Sequence, residues 1–445
     1  QPGNKLNYIQ LNNDLDKIIM YYRKNGYSLA DITKLTWNEY TDSLSITIDE
    51  GVINDIEVIG NELTQHFVIE REFKYQKGHV FNWMPVQRAI QNVYATNLFE
   101  RVNVEFAKMD SSYKMMIKVQ EKSPIVARLG GKYDSDRRMQ AYLELSHENI
   151  WGTGMQVDFL SRLGMRDGNI GLSIIEDRIF LSNFNFGIKT YHTWEINPVA
   201  MPGEPSGRYR EERTGLRIQL GRQVRRLGQL VAELRQEFVS DYTYSGQFDP
   251  EQEIEIRTIS LHASTDKRDR RDFPTTGIYN KWIWESGNRL VLDADETFTK
   301  AMINLEGYYT LHSRSTWHLK LFAGYGDQTL PFSENFRLGG LHSFYGLAEN
   351  AYYGRQLFLA SAEYRYRLPV NLGKNNLLVN DMYVLARYDF AGIWDKPELL
   401  FSIDDFFSGI GGSLAFDTFL GPFYLGYGRT TRGEDHAYVS IGLNF

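Results

Sequence analysis

Few residues of this sequence stand in a spacing that covalent chemistry could use. Nine histidines are scattered along 445 residues, with no His-x-x-x-His or His-Glu-x-x-His run to suggest metal ligation. No serine sits in Gly-x-Ser-x-Gly, and cysteine is absent, so neither a nucleophile elbow nor a thiolate or disulfide is indicated. Gly339-Gly340 lacks the Lys-Ser/Thr pair and following helix of a phosphate cradle. Asp404-Asp405 and Asp293/Asp295 read as solvated loop or rim charges. The run Lys267–Asp272 reads first as a charged turn and second as a contact for charged groups of a lipid or another chain. No catalytic residue, cofactor or metal is assigned to these residues.

The chemistry that remains is ion pairing. Glu363, Arg365 and Arg367, with Ser361, alternate with Phe358, Ala360, Ala362, Tyr364, Tyr366 and Leu368; Arg387 and Asp389 alternate with Val384, Ala386, Tyr388 and Phe390. Charge on one face and apolar groups on the other describe a wall between water and lipid. Each inward charge then needs an inward partner, because an unpaired carboxylate in a narrow lumen is costly. Glu363, Arg365, Arg367, Arg387 and Asp389 are therefore expected to form one inner-wall cluster.

A Gly-rich loop precedes the first of these strands. Arg337-Leu338 leads into Gly339-Gly340, and Ser343-Phe344-Tyr345-Gly346-Leu347 makes an apolar tip. Such a tip is poorly placed in bulk solvent, so residues 331–354 are expected to fold back into a pore.

From Pro124 onward alternation replaces helical periodicity, with about sixteen candidate strands at roughly twenty residues per strand and connection. Ile125–Tyr133 puts Ala127, Leu129 and Tyr133 outward and Arg128 and Lys132 inward. Ala301 to Leu311, Trp317 to Tyr325 and Met382 to Phe390 alternate likewise, and Ala437–Phe445 closes the chain on an aromatic residue. Short turns (Trp151–Gly154, Leu420–Pro422) contrast with longer polar ones (Pro202–Glu212, Asp241–Gln252, Gly392–Asp405). A soluble β-sandwich seldom needs this many long strands and would bury one face rather than charge it.

Composition agrees. Aromatics reach 14%, with 28 Tyr and 26 Phe, which suits girdles at two membrane interfaces. There is no run of about 18 apolar residues, so a helical span is excluded. The mean hydropathy of −0.41 fits a barrel with a wet interior. A net charge of −7 without a basic patch argues against nucleic acid as a partner. Gln1 belongs to no signal peptide, as in a processed or trimmed chain.

The first part of the chain is α+β. Leu11–Arg23 has helical spacing, with Asn12 or Asn13 as cap, and strands follow at Leu35–Tyr40 and Leu44–Ile48. A fuller unit then runs strand Val52–Ile59, helix Thr64–Phe73, a second helix capped by Asn82 and ending near Tyr94, and strands Arg101–Phe106 and Tyr113–Gln120. With Gly60-Asn61, mid-unit Gly78 and Asn97-Leu98-Phe99, residues 51–122 resemble a POTRA (polypeptide-transport-associated) module. Residues 1–50 resemble the back half of a preceding module, which implies further sequence upstream.

Three motifs in order resemble the BamA-type superfamily of outer-membrane assembly and secretion barrels, the bacterial surface antigen family. They are Thr265–Asp269 with Phe273–Gly277; the Gly-rich loop; and Tyr388–Gly392 with Ser408–Gly412 and Gly421-Pro422. The resemblance implies an all-β, transmembrane, 16-stranded antiparallel barrel over residues 123–445 in the bacterial outer membrane, preceded by small α+β periplasmic POTRA modules. It also implies insertion or translocation of an unfolded polypeptide client or passenger, with outer-membrane lipids and lipopolysaccharide as surroundings. The Ser-Phe-Tyr-Gly tip resembles the patatin-linked branch, in which a lipase domain precedes the POTRA region. A passive pore or scaffold subunit is the alternative. Family loops carry an Arg before the tip Gly; Tyr345 stands there in this sequence, so its stacking and hydroxyl contacts are expected to replace that anchor. Between the first and last strands, Leu129, Gly130 and Gly131 face Ile441, Gly442, Leu443 and Phe445 across an expected lateral seam that glycine weakens.

Overall fold

The computed structural model describes residues 7–41, 43–73, 77–110, 112–179, 182–200, 206–224, 228–250, 252–370, 378–395 and 402–442. Two compact units divide the chain, one of residues 1–125 with 147–156, the other of 126–146 with 157–445.

In the first unit the helix Tyr8–Lys24 is capped by Asn7, whose side chain accepts from the N–H groups of Ile9 and Gln10. Asn12 and Asn13 lie inside the helix. The apolar period starts only at Leu11, because Tyr8 and Ile9 are exposed, and so the pattern understates the first turn. Strands Asp31–Asn38 and Ser43–Asp49 pair as a hairpin.

A four-stranded sheet follows, in the order His79–Val80, Val52–Ile59, Tyr113–Glu121, Phe99–Lys108. Val52–Ile59 runs parallel to Tyr113–Glu121, and the other pairs are antiparallel. The helices are His66–Phe73 and Trp83–Ala95. In the second, Val86, Ala89 and Val93 recur at helical spacing and are buried, and Asn82 caps its first turn. Asn97, at φ 62, ends it in the left-handed conformation that asparagine tolerates. Ile53, Ile69, Phe81, Phe99, Met115 and Ile117 are the largest fully buried side chains of this unit's core.

The second unit carries a closed antiparallel barrel of sixteen strands: Ile125–Asp134, Arg138–Ile150, Met155–Gly164, Asp167–Glu176, Phe184–Val199, Gly207–Val224, Gly228–Gly246, Gln252–Asp266, Gly277–Gly287, Phe298–His312, Ser315–Gly326, Gln356–Arg367, Val379–Trp394, Phe406–Thr418, Gly421–Thr430 and Asp435–Gly442. Leu216, Ile218, Trp282, Trp284, Leu319 and Leu321 stand exposed on its outer face, while Glu237, Glu363 and Asp389 are buried on its inner one. That alternation is what a hydrocarbon exterior and a polar interior impose.

Two of the expected long turns are largely strand. Residues 207–212 pair with 240–246, Glu212 opposite Ser240 and Gly207 opposite Gly246. Their polar side chains pair with one another: Arg210 on the same strand and Tyr242 on the facing one both satisfy Glu212. Of the segment Gly392–Asp405, residues 396–401 lie outside the described residues, as do Leu443, Asn444 and Phe445 at the end of the last strand.

Candidate functional site

The Gly-rich loop occupies residues 327–355, between strands that pair directly with one another at Tyr325 and Gln356. It closes on itself through a ladder of Phe336–Leu338 with Tyr352–Gly354. Its apolar residues Phe336, Leu338, Phe344, Leu347 and Tyr352 form one core with wall residues that include Leu357, Leu359, Ile393 and Phe407. The inner wall is therefore apolar under the body of the loop and charged where it meets the tip and the base. Gly339 (φ 125) allows the reversal at the tip, where a Cβ would come 2.2 Å from the carbonyl oxygen of Ala348.

At the tip Tyr345 is buried. Its N–H donates to Asp389 Oδ2 at 2.9 Å and its hydroxyl to Ser413 Oγ at 3.2 Å. Its ring meets Tyr438 edge-on at 5.4 Å, and the Arg387 guanidinium lies 5.1 Å from its centroid. Arg387 bonds Asp389 Oδ1 through Nε at 2.8 Å, donates to the carbonyl of Leu341 at 3.1 Å, and donates to that of Ser343. Tyr438 completes the grip: its hydroxyl accepts from Gly346 N–H and donates to the carbonyl of Leu347, both at 2.8 Å. The cation of this anchor thus belongs to the wall, and the loop contributes backbone groups and an aromatic face.

The expected five-residue cluster divides. Arg387 and Asp389 hold the tip. Glu363 pairs with Arg365 at 2.9 Å in a second group on the same wall. Arg367 leaves the cluster: it is exposed and lies 3.7 Å from Asp381, because its strand ends there. Of the other tip residues, Gly340 and Phe344 form an isolated bridge and Ser343 contributes its carbonyl.

Two features escaped the sequence. Glu334, at the base of the loop, is buried among Arg213 (2.8 Å), Arg235 (3.1 Å) and Lys300 (3.2 Å), three cations from three strands. The turn 267–276 is also more than a charged connection. Phe273 is buried in it, stacked on inward-facing Tyr383 at 4.6 Å, and Arg365 donates to the carbonyl of Pro274 at 3.2 Å. Turn and loop tip border one polar cavity of about 290 Å³, lined by His318, Lys320, Tyr345, Glu363, Arg365 and Arg387 among others.

A sequence profile of the Omp85 superfamily domain matches residues 149–445, and a POTRA profile, the surface antigen variable number repeat, matches residues 52–122. The chain belongs to the Omp85 superfamily. A curated relative, outer membrane protein assembly factor BamA of Nitratidesulfovibrio vulgaris, is 22% identical over 357 residues, which cover 74% of this chain and 43% of that protein. The Omp85 chain thus spans less than half the length of that relative. In fold it is similar to BamA from Haemophilus ducreyi lacking POTRA domains 1–3, with TM-score 0.76 and 17% identity over 99% of this chain and 94% of that one. It is also similar to CdiB from Escherichia coli, with TM-score 0.61 and 15% identity over 98% and 84%. This Omp85 barrel resides in the outer membrane and its POTRA region in the periplasm.

The barrel of this Omp85 member closes between its first and last strands. Among the described residues, ladder pairs there join Ser440 with Asp134, Ile441 with Tyr133 and Gly442 with Lys132, and the Ser135 N–H donates to the carbonyl of Val439 at 2.8 Å. The last strand pairs at seven positions with its other neighbour. At Gly442 (φ 123) a Cβ would come 2.6 Å from the carbonyl oxygen of Gly131, so glycine there permits the close approach. Leu129 and Gly130 lie on the first strand beyond these pairs, and Leu443 and Phe445 fall outside the described residues.

Proposed function

We propose that this chain inserts or translocates polypeptides at the outer membrane by offering clients the strand edges at its barrel seam. The close approach of Asp435–Gly442 to Ile125–Asp134, which glycine at 442 permits beside the carbonyl of Gly131, carries the reading. A net hydrogen bond contributes about 1 kcal/mol, so exchanging one backbone ladder for another costs little at each position. In hydrocarbon, however, freed N–H and C=O groups must find partners. A client strand supplies them by adding to the exposed edge, which makes opening and client pairing one exchange. The POTRA sheet supports a delivery role: Phe99–Lys108 is an edge strand, and Val52–Ile59 is covered only at Val52 and Ile53. The helix and hairpin of residues 8–49 support reading the first fifty residues as the second half of a preceding module. The inner-wall groups that fix the loop serve this role by keeping the lumen filled while the seam works.

Tyr133 and Ile441 lie directly opposite across the seam. Oxidising the Tyr133→Cys/Ile441→Cys variant should abolish client insertion into liposomes, and reduction should restore it. Full activity with the disulfide formed would overturn the proposal.

A further inference from the structure

The barrel rim is stepped. Asp167 opens its strand opposite Glu195, and the Ile196 N–H still donates to the carbonyl of Arg166 at 2.7 Å; beyond it, among the described residues, Asn197 to Val199 have no ladder partner on that side. The first four strands meet in tight turns at residues 135–137 and 165–166, on the end of the barrel opposite the one where its first strand begins at Ile125. In the step lies an enclosed cavity of about 170 Å³. Its lining includes Arg137, Arg138, Arg166, Arg208, Glu349 and His436.

The two carboxylates that border the cavity are already engaged. Glu349 pairs with Arg137 Nε at 3.1 Å. Asp136 binds His436 Nε2 at 2.8 Å and accepts the Glu349 N–H at 3.0 Å. Arg137 is thereby neutralised. Arg138, Arg166 and Arg208 are different: among the described residues none has a carboxylate within ion-pair distance, and the Arg166 guanidinium donates to the carbonyl of Asp136 at 2.6 Å. Three guanidiniums without a carboxylate in contact border one small cavity and repel each other, and Asp136 offsets only part of this at Arg166. Accordingly the pKa of Arg166, in its turn, is depressed by burial first and then by Arg208 and Arg138. Arg138 is also held at φ 68, a conformation that side chains disfavour and that persists where surrounding structure imposes it.

We infer that Arg138, Arg166 and Arg208 form a binding site for a phosphate group at the outer rim of the barrel. Guanidinium forks match phosphate oxygens in pairs, and a multivalent anion relieves the repulsion that a chloride only screens. The cavity admits one phosphate with part of its ester. At the outer-leaflet level the ligand is either the phosphate of a lipid A headgroup or free phosphate, and both present the same oxygens.

The test uses the full chain in nanodiscs and does not involve insertion activity, so it succeeds or fails independently of the seam proposal. Inorganic phosphate is titrated calorimetrically, and lipid A with and without its phosphates is compared by native mass spectrometry. At least one phosphate probe should bind and lose tenfold or more in affinity in Arg166→Gln/Arg208→Gln. Preference for phosphorylated over dephosphorylated lipid A assigns the site to the headgroup; binding of inorganic phosphate without that preference assigns it to the free anion. Arg138→Gln, an exposed substitution that leaves the fold alone, should lose several-fold and decides the matter if the double variant does not fold. Unchanged affinity in the variants, or no binding of either probe by the parent chain, overturns the site.

Discussion

Arg387 and Asp389 stand two residues apart on one inward-facing edge, bond to each other at 2.8 Å, and hold different parts of the same loop tip. The guanidinium takes the carbonyls of Leu341 and Ser343, and the carboxylate takes the N–H of Tyr345. Both charges are buried, and each is satisfied by its neighbour and by loop backbone. A pair of this kind gains specificity of placement more than net stability, because desolvation offsets much of the attraction. The loop position is therefore fixed by directional bonds, and its adhesion by the apolar core above them.

Tyr345 allows the two contributions to be separated. Tyr345→Phe removes the hydroxyl bond to Ser413 and keeps the ring between Arg387 and Tyr438, and should cost about 1 kcal/mol. Tyr345→Ala removes a large buried ring and should cost about 3–5 kcal/mol. Urea unfolding of the barrel in detergent micelles measures both. Equal losses in the two variants would show that the ring contributes nothing and that the aromatic anchor is misassigned.

Glu121 gives the periplasmic unit a pH dependence. Burial raises its pKa, but the Thr64 side chain and the N–H groups of Leu63, Thr64 and Glu62 outweigh that and hold the carboxyl below its ordinary 4.5. A depressed folded value means that the stabilisation is complete above pH 4.5 and is lost as pH falls through the folded pKa. Partial exposure limits it to about 1 kcal/mol. Amide exchange at residues 62–64, corrected for intrinsic rates, should quicken in that acid range in the parent chain. In Glu121→Gln it should already be fast at neutral pH; a parent-like profile in this variant would exclude the carboxylate as the clasp.

The alternation Ser361-Glu363-Arg365 announced an inner wall because side-chain direction along a strand is a local property. The inward position of Asp389 followed in the same way, whereas the need for a substitute contact at Tyr345 came from the resemblance of the loop to its family. Local pattern says nothing of which strands face each other across a lumen. Glu334 reads as an ordinary loop acid until barrel closure brings Arg213, Arg235 and Lys300 around it. Phe273 was obscured by the charges of Lys267–Asp272, which advertise a solvated turn although the next residue is inserted. Arg367 failed for the converse reason: parity gave its direction correctly but not where its strand stops. At the seam, glycine content was legible, while register was not; it is read from Ile441 opposite Tyr133.

Loop and turn border the same cavity from different elements, so they should act as two obstructions in series. Glu334→Gln removes the charge that Arg213, Arg235 and Lys300 share at the loop base. Breaking a buried pair costs about 3–5 kcal/mol, less here because Glu237 still pairs with both arginines. Phe273→Ala removes the stacked ring of the turn. Obstructions in series conduct only when both are loosened. Single-channel conductance should therefore stay near the parent value in each single variant and rise several-fold in the double variant. A full rise in Glu334→Gln alone would mean that the turn closes nothing, and that the loop by itself sets the resistance of the lumen.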